Sequence, residues 1–298
     1  MRDKKEVNPN PNHKSTNHDE ANFSHVYFYK LLFEEKPTLP NIELVKQKIR
    51  KFYDDIDVVS SDNGIYSIAI NDLKVKYQDE KEVPAQILMP DAMEFDYTSI
   101  SDYYYSQMWD IKEPKELIKN CNYEIMLSDF LAAGLDYKER TTLLNNWLYI
   151  SLQLFNNCVA VYNEQSGKLL LPEQILNNNY PKDFRFLLSG VNIRLFNVQD
   201  SKDVIVDTLG MYAIGLPDIQ YHFHDLNVNE IISHALNIAA YIFDKGDIIK
   251  SGDTIQSIFE NVQWKCQYEK SLLKPHREIL DINTLEYASG KREENKTN

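Results

Sequence analysis

The stretch VIVDTLGMYAIGLPDIQYHFHDLNVNEIISHALNIAAYIFDKG, residues 204–246, decides the fold. Runs rich in β-branched and aromatic residues at 204–211 and 219–224 predict two strands. Apolar residues then recur at helical spacing from Val228 to Phe243, and Gly246 is placed to end that helix in a left-handed turn. Strands followed closely by an amphipathic helix are typical of an α+β protein.

The rest of the chain repeats this mixture. The spacing predicts helices after Pro40, with Asn41 as N-cap, at 114–120, and from a capping box of Asp136 and Glu139 to Phe155. Further strands are expected at 26–33, 64–70, 73–77, 83–89, 125–127, 158–162, 191–197 and 262–269. Short polar turns at 71–72 and 79–82 favour hairpins, so we expect mixed, largely antiparallel sheets packed with amphipathic helices.

The order of polar and apolar segments predicts two similar-sized halves. Residues 1–22 and 289–298 are polar without apolar periodicity, which predicts disordered tails. Polar residues and Pro181 cluster at 177–183, so we expect an N-terminal α+β domain at 23–180 and a C-terminal module at 181–288.

The cysteines and the apolar segments indicate the compartment and the class of protein. The three cysteines are far apart and form no CxxC pair, so we expect reduced, buried thiols and neither a disulfide framework nor a structural zinc site. No segment approaches the roughly 20 apolar residues of a membrane span, and the N-terminus lacks an apolar signal core. These features predict a cytoplasmic protein without a membrane partner.

The net charge of −13 is concentrated in one region. Residues 53–113 hold 14 acidic side chains against four lysines, so a nucleic-acid backbone would be repelled and is not an expected partner. Two interpretations stay open for this region: a solvated face that keeps the protein in solution, or a docking surface for a basic partner.

An aromatic and acidic segment at 102–110 is the expected binding surface of the first half, because aromatic anchors among charges suit a protein interface. The candidate binding residues are Tyr103, Tyr104, Tyr105, Trp109, Asp102 and Asp110.

His222 and His224 are the most ligand-like pair in the chain. Residues two apart on a strand point to the same face, so two imidazoles there could share a metal ion. No third ligand has diagnostic spacing, and His234 is on a separate predicted helix. Partly exposed strand histidines are the competing interpretation, and we expect no metal.

Catalytic motifs are not found. The sequence has no Gly-x-Ser-x-Gly elbow, no Cys beside a His, and neither GxGxxG nor GxxxxGK[ST] among its nine glycines. We therefore assign no catalytic residue and expect no cofactor. The glycine-containing segments 210–217 and 246–254 are interpreted as turns built on flexible glycines, a rigid proline and a capping Asp.

Those two turns and the helix between them carry a family resemblance. TLGMYAIGLPDIQ followed by ISHALNIAAYIFDKGDIIKSGDTI, within residues 207–258, resembles the bacterial family of domain of unknown function 4261 (DUF4261). Upstream, SQMWD, residues 121–130, Arg140 and CVAVYNEQSGKLLLPEQI are similar to the region that often precedes this module, which would extend the resemblance to Gln86.

The resemblance implies a bacterial α+β protein without assigned catalytic residues, whose relatives look like accessory or immunity-type proteins of toxin and secretion systems. It implies that the matched turn residues shape a surface loop or a packing corner. These residues are Gly215, Leu216, Pro217, Gly246, Gly252, Asp253 and Thr254.

Three functions follow from these features. The first is a non-enzymatic protein-binding protein, of immunity or accessory type, whose partner is a toxin or effector. The alternatives are a metal-assisted hydrolase using scattered carboxylates with His222 and His224, and a structural subunit of a larger assembly. The sequence leaves the oligomeric state open.

Overall fold

The computed structural model describes residues 23–76 and 81–290. They form two compact units, Ser24–Gly190 and the part of the chain from Val191 onward. Each unit combines a sheet with helices, which confirms the predicted α+β class. The predicted tail at 1–22, residues 79 and 80 of the predicted turn at 79–82, and residues 291–298 lie outside the described residues.

The first unit is built on an eight-stranded sheet in which every described pairing is antiparallel. Its strands are β1 (Phe28–Phe33), β2 (Ile56–Ser60), β3 (Ile65–Lys76), β4 (Glu82–Pro90), β5 (Met93–Glu94), β6 (Tyr123–Phe130), β7 (Ala160–Asn163) and β8 (Lys168–Leu170). They are ordered β2-β3-β4-β6-β1-β7-β8, and β5 pairs with β6 beside this path.

The described residues of this unit also form six α-helices. They are α1 (Ile42–Ile49), α2 (Asp102–Tyr105), α3 (Pro114–Ile118), α4 (Tyr137–Leu154), α5 (Pro172–Leu176) and α6 (Arg185–Gly190). Two of the predicted caps are present: the Asn41 side chain accepts a hydrogen bond from Glu43 N, and the Asp136 side chain accepts one from Lys138 N. These bonds satisfy amides that the first helical turn leaves without a partner.

Strand β1 separates the two layers of the core because successive side chains point to opposite faces of the sheet. On one face, the Phe33 ring packs edge-on against Phe155 at 5.6 Å, just after the end of α4. On the other face, Leu32 joins a cluster formed with the segment that contains α2 and α3. The buried members of that cluster are Leu32, Phe95, Ile100, Tyr105, Met108, Ile118, Cys121, Ala160, Tyr162 and Leu169.

The structure corrects one prediction about the strands and contains an edge strand that was not predicted. The expected hairpin at 64–77 is one strand, β3, because residues between Ile70 and Lys74 form an irregularity in its pairing with β4 instead of a turn. The Asp72 carboxylate accepts hydrogen bonds from Asp54 N and Asp55 N, in the segment that leads into β2. The edge strand β2 was not predicted, because its outward-facing Val59 is apolar and its inward-facing Ser60 is polar, which hides the alternation.

The second unit contains a six-stranded sheet ordered β12-β13-β14-β11-β10-β9. Its strands are β9 (Asn192–Asn197), β10 (Val204–Leu209), β11 (Asp218–Phe223), β12 (Thr254–Gln256), β13 (Gln263–Lys270) and β14 (Glu278–Asn283). Strands β11 and β14 run parallel, and the other described pairs in this sheet are antiparallel. Strand β14 was not predicted, although it is buried at the centre of the sheet.

Helix α7 (Val228–Lys245) packs on β10 and β11 with the apolar face that its sequence spacing predicts. Gly246 ends it with φ 84° and ψ −175°, so its φ is positive as expected, but its backbone is extended instead of left-handed helical. None of the helices in the described ranges combines the length and apolarity needed to cross a membrane.

The boundary between the two units falls after Gly190 in the chain, whereas the sequence predicts it after residue 180. Residues 181–190 belong to the first unit, where α6 buries Phe186 and Ser189. The Phe186 ring packs edge-on against Tyr27 at 5.6 Å, and Ser189 bonds to Tyr29. At the other end, Ser289 lies in the predicted tail but is buried, and its N–H donates to His222 O.

A buried ion pair ties α4 to β6 in the first unit. Arg140 Nε donates to Asp129 Oδ2 at 2.5 Å, and both side chains are excluded from solvent. The second Asp129 oxygen accepts from Tyr27 N at 2.7 Å, and Arg140 Nη1 donates to Ser24 O. The pair therefore also fixes the chain that enters β1.

We expect Asp129→Ala to cost about 3–5 kcal/mol, because it leaves the Arg140 guanidinium buried without its counter-charge. Hydrogen exchange of the α4 amides measures this loss. The control Asp136→Ala removes the exposed carboxylate that caps the same helix and should cost about 1 kcal/mol. Similar loss of protection in both variants would contradict the role given to the buried pair.

Candidate functional site

The segment at 102–110 presents one aromatic side chain to solvent. Trp109 is 58% exposed, and its Nε1 donates to Oε1 of the buried Gln107 at 3.3 Å. The preceding residue, Met108, is 3% exposed and belongs to the core cluster around Leu32. Trp109 therefore projects from a loop that the core holds in place.

The three tyrosines predicted to bind a partner are less available than expected. Tyr105 is a core residue, with 8% exposure, and its hydroxyl donates to Tyr97 O at 2.8 Å. Burial raises its pKa to about 12, helped by the neighbouring Tyr97 and Asp102. Tyr103 and Tyr104 are half-buried and pack edge-on at 5.4 Å. Of the three predicted binding tyrosines, Tyr105 is not available to a partner, because α2 turns it into the core.

The two acidic residues of this segment are exposed and have lysine partners. Asp102 bonds to Lys115 Nζ at 3.1 Å, and Asp110 lies 3.5 Å from Lys168 Nζ. Burial lowers the pKa of Lys168, while Asp110 opposes this shift. Asp110 thus neutralises a largely buried lysine of β8, in addition to standing beside Trp109.

A second acidic feature lies at the β2 edge of the same sheet. Asn71 Nδ2 donates to Asp55 Oδ1 at 3.1 Å and to Asp57 Oδ2 at 2.8 Å, while Asp72 accepts from Asp54 N and Asp55 N. All four carboxylates are exposed. The fold therefore gathers negative charge from residues that are up to 18 positions apart in sequence.

His222 and His224 have different surroundings. His222 lies in β11, and its Nε2 is 3.5 Å from Asp203 Oδ2. His224 follows the end of the strand, and its Nδ1 is 3.0 Å from Asp225 Oδ2. A Ser289 hydrogen bond and both imidazoles lower the pKa of Asp203. Within the described residues, no group of three or more His, Cys, Asp and Glu could hold a metal ion.

His234, on α7, uses both of its ring nitrogens in hydrogen bonds. Its Nε2 donates to Gln256 O at 2.8 Å, which makes Nδ1 the acceptor for the Tyr221 hydroxyl at 2.6 Å. The ring also packs edge-on against Trp264 at 5.2 Å. Burial lowers the pKa of His234, so the imidazole is neutral and joins α7 to β11 and β12.

All three cysteines are free thiols, and Cys121 and Cys266 are buried as expected, while Cys158 is partly buried. Burial raises the pKa of Cys121 to about 11 and the pKa values of Cys158 and Cys266 to about 12. A thiol with a raised pKa carries little thiolate at neutral pH and is a poor nucleophile.

The first motif turn surrounds a buried network of opposite charges. Arg194 donates from Nε and Nη2 to Asp207, at 2.8 and 2.5 Å. Arg277 reaches both acids, from Nη2 to Asp207 Oδ2 at 2.8 Å and from Nε to Asp218 Oδ2 at 2.7 Å. These four side chains are at most 1% exposed. Two cations and two anions therefore neutralise each other inside the unit.

This network shapes the turn between β10 and β11. Asp218 Oδ1 accepts from Met211 N and from the Thr208 hydroxyl, both at 3.0 Å. Gly215 has φ 84° and ψ 19°, the left-handed conformation that favours glycine. Leu216 and Pro217 are buried. The resemblance implies either a surface loop or a packing corner, and the turn at 210–217 is a packing corner.

The second motif turn is on the surface. Gly252, Asp253 and Thr254 are exposed, and an added Cβ at Gly252 would meet no atom within 4 Å. Asp253 Oδ2 accepts from Lys250 N at 2.8 Å. Gly252 N donates to Cys266 O, and Cys266 N donates to Asp253 O, so the turn continues the pairing of β13. Gly252 has φ 99°, a conformation that disfavours larger residues.

A family model matches part of the second unit. Residues 207–283 match the family model described as domain of unknown function (DUF4261), which confirms the resemblance drawn from the two turns. The match covers β10, β11, α7 and the strands up to β14; it does not include the upstream region from Gln86 that the sequence suggested. No curated protein and no solved structure matches the chain.

The two buried arginines were missed by sequence reasoning. Arg194 is the single charge in the predicted strand at 191–197, and the register places it directly opposite Asp207 on β10. A charge within an apolar strand, with an opposite charge in the next one, is the signal that could have found this pair. Arg277 gives no such signal, because its acids are 59 and 70 positions away.

Breaking the network should unfold the motif turn. We expect Arg277→Met to cost about 3–5 kcal/mol, because Asp207 and Asp218 lose a shared counter-charge in the interior. Hydrogen exchange of the β10 and β11 amides measures the loss. Lys265→Met, an exposed change on β13, is the control. Adding Asp218→Asn to Arg277→Met should recover part of the loss by restoring neutrality; fully additive losses would contradict this account.

His234 should give the second unit a pH dependence. Its folded pKa lies below the usual 6.5, so the unfolded chain binds the proton more readily and stability falls as the pH drops below about 6.5. Urea unfolding at a series of pH values, followed by circular dichroism, measures this slope. His234→Gln should flatten it, whereas His276→Gln, which removes an exposed imidazole, should not. An imidazole titration midpoint of His234 above 6.5 would refute the assignment.

Proposed function

We propose that this protein acts by binding another protein, with Trp109 as the anchor and a basic surface on the partner. The observation that carries the proposal is the contrast at 108–109, where a buried Met108 precedes a Trp109 with more than half of its surface exposed. Tryptophan is among the residues that most often dominate interface energies.

The anchoring of the segment supports this role. Gln107 and Met108 are buried, Tyr105 bonds to Tyr97, and Asp102 pairs with Lys115. A side chain that projects from an ordered loop loses less conformational freedom on binding than one on a free loop. Burial of Trp109 by a partner therefore carries a small entropic cost, and most of the free energy gained by covering the indole appears as affinity.

Charge supports a basic partner. The net charge is −13, and residues 53–113 carry most of the excess. Carboxylates such as those gathered by Asn71 and Asp72 create a negative potential that steers a positively charged protein and raises its association rate. A solvated face remains the competing interpretation, and the salt dependence of binding separates the two.

The DUF4261 match leads to a more specific form of the proposal. In that form the protein is an accessory or immunity-type protein of a bacterial cytoplasm, and its partner is a toxin or effector. Support comes from the family resemblance together with the acidic surface. A partner identified as a nuclease, peptidase or pore-forming toxin would establish this form.

We expect Trp109→Ala to weaken partner binding about tenfold or more, as truncation of an interface hot spot does. Immobilised full-length protein would be exposed to an extract of the native host, and retained proteins quantified by mass spectrometry. Binding constants would then be measured with the purified partner. The control is Phe130→Ala, which truncates another aromatic side chain, with 42% exposure, on β6.

A partner that is retained by the wild type and the control but lost by Trp109→Ala supports the proposal. Its association rate should fall steeply as salt is added. If no protein is retained at low or high salt, or both variants lose it equally, the proposal is wrong. Metal analysis of the purified protein distinguishes the metal-assisted alternative, since stoichiometric metal lost on His222→Ala and His224→Ala would favour that function.

A further inference from the structure

We propose that a cleft in the first unit binds a phosphate group. The cleft lies among α4, α5 and the residues that lead into α6, and it is open to solvent. The side chains that matter are Lys182 and Arg185 on one side and Thr142, Asn145 and Tyr149 of α4 on the other. This site is independent of the Trp109 surface and of the proposed partner.

The charges of the cleft oppose those of the protein. Its described lining contains two cations and no Asp or Glu, in a chain with a net charge of −13. Lys182 and Arg185 are three positions apart in consecutive helical turns, a spacing that places side chains on neighbouring positions of one face. A positive cleft on a strongly acidic molecule is a local site that attracts an anion.

The cations lack counter-charges within the described part of the chain. Arg185 Nε is shielded from solvent and donates no hydrogen bond to any described atom. Neither Lys182 nor Arg185 forms an ion pair with a described carboxylate. A buried N–H without an acceptor is costly. The Arg185 side chain lines the cleft, where an anion would supply the missing counter-charge.

A chain of hydrogen bonds directs a further donor toward the cleft. The Ser189 hydroxyl donates to Asn145 Oδ1 at 2.9 Å, so it accepts from the Tyr29 hydroxyl at 3.0 Å. Burial raises the pKa of Tyr29, which keeps this phenol protonated as a donor. With its oxygen occupied by Ser189, the Asn145 amide has its two N–H donors left for a ligand in the cleft.

The donor set fits a phosphate group better than a carboxylate. A guanidinium, an ammonium, an amide and the hydroxyls of Thr142 and Tyr149 offer more donors than the two oxygens of a carboxylate require. Two cations match the charge of a phosphate monoester near neutral pH. Arginine forks bind phosphate oxygens in pairs, while lysine binds as a point charge.

Titration of the full chain with inorganic phosphate by calorimetry, at constant ionic strength, tests the assignment. Sodium acetate and sodium chloride are titrated in parallel. We expect saturable phosphate binding that the double variant Lys182→Gln/Arg185→Gln weakens about tenfold or more, because charge-assisted bonds are lost. The matched control is Arg50→Gln/Lys51→Gln, an exposed pair after α1 that changes the net charge equally.

Asn145→Asp supplies a second test within the same fold. It keeps an oxygen to accept from Ser189 but replaces the amide donors with a negative charge, so phosphate binding should be lost while circular dichroism is unchanged. Phosphate monoesters, such as a phosphorylated serine, should bind like inorganic phosphate if the cleft recognises the group. Equal binding to wild type and the double variant, acetate binding as tight as phosphate binding, or no saturable phosphate binding would each overturn the proposal.

Discussion

Charge burial is the constraint on which the second unit depends. Arg277 connects two acids, Asp207 on β10 and Asp218 on β11, and Asp207 in turn holds Arg194 on β9. Burial disfavours the guanidinium charge of Arg277, but Asp218 and Asp207 outweigh it and hold its pKa above the ordinary value. Each ion is tolerated because the others are present, so the strands that carry them must be assembled together.

The first motif turn is a consequence of this network. Asp218 uses its oxygens for Met211 N and Arg277 as well as Thr208, and the chain between β10 and β11 is therefore pinned from inside. Gly215 takes the left-handed conformation that the tight corner requires. The DUF4261 match includes Asp207, Asp218 and Arg277, and these residues have structural roles in the geometry described.

In the first unit, buried charge is compensated by the ion pair of Asp129 and Arg140, and many other acidic residues lie on the surface. The two buried networks hold three carboxylates against three guanidinium groups, so they contribute nothing to the net charge of −13. In the proposed function, Trp109 and the acidic edge at β2 would both attract a basic protein. The cleft near Arg185 has the opposite sign, which gives one unit two surfaces for different ligands.

The sequence by itself determined the α+β class, the long helices α4 and α7, the Asn41 and Asp136 caps, most strands and the family of the C-terminal module. Those features depend on local spacing, since apolar periodicity and caps act within a few residues. It also selected the segment at 102–110 that contains Trp109, but it did not separate Trp109 from the buried Tyr105, because α2 is too short to show a periodicity.

Only the tertiary structure decided which charges meet. Arg277 is 70 residues from Asp207, the acids at β2 are joined through Asn71 and Asp72, and the phosphate-binding cleft combines side chains from three helical segments. Such pairings depend on strand order and helix packing, for which a single sequence has no local signal. Coulomb attraction and desolvation depend on distance in space, and the fold alone sets that distance.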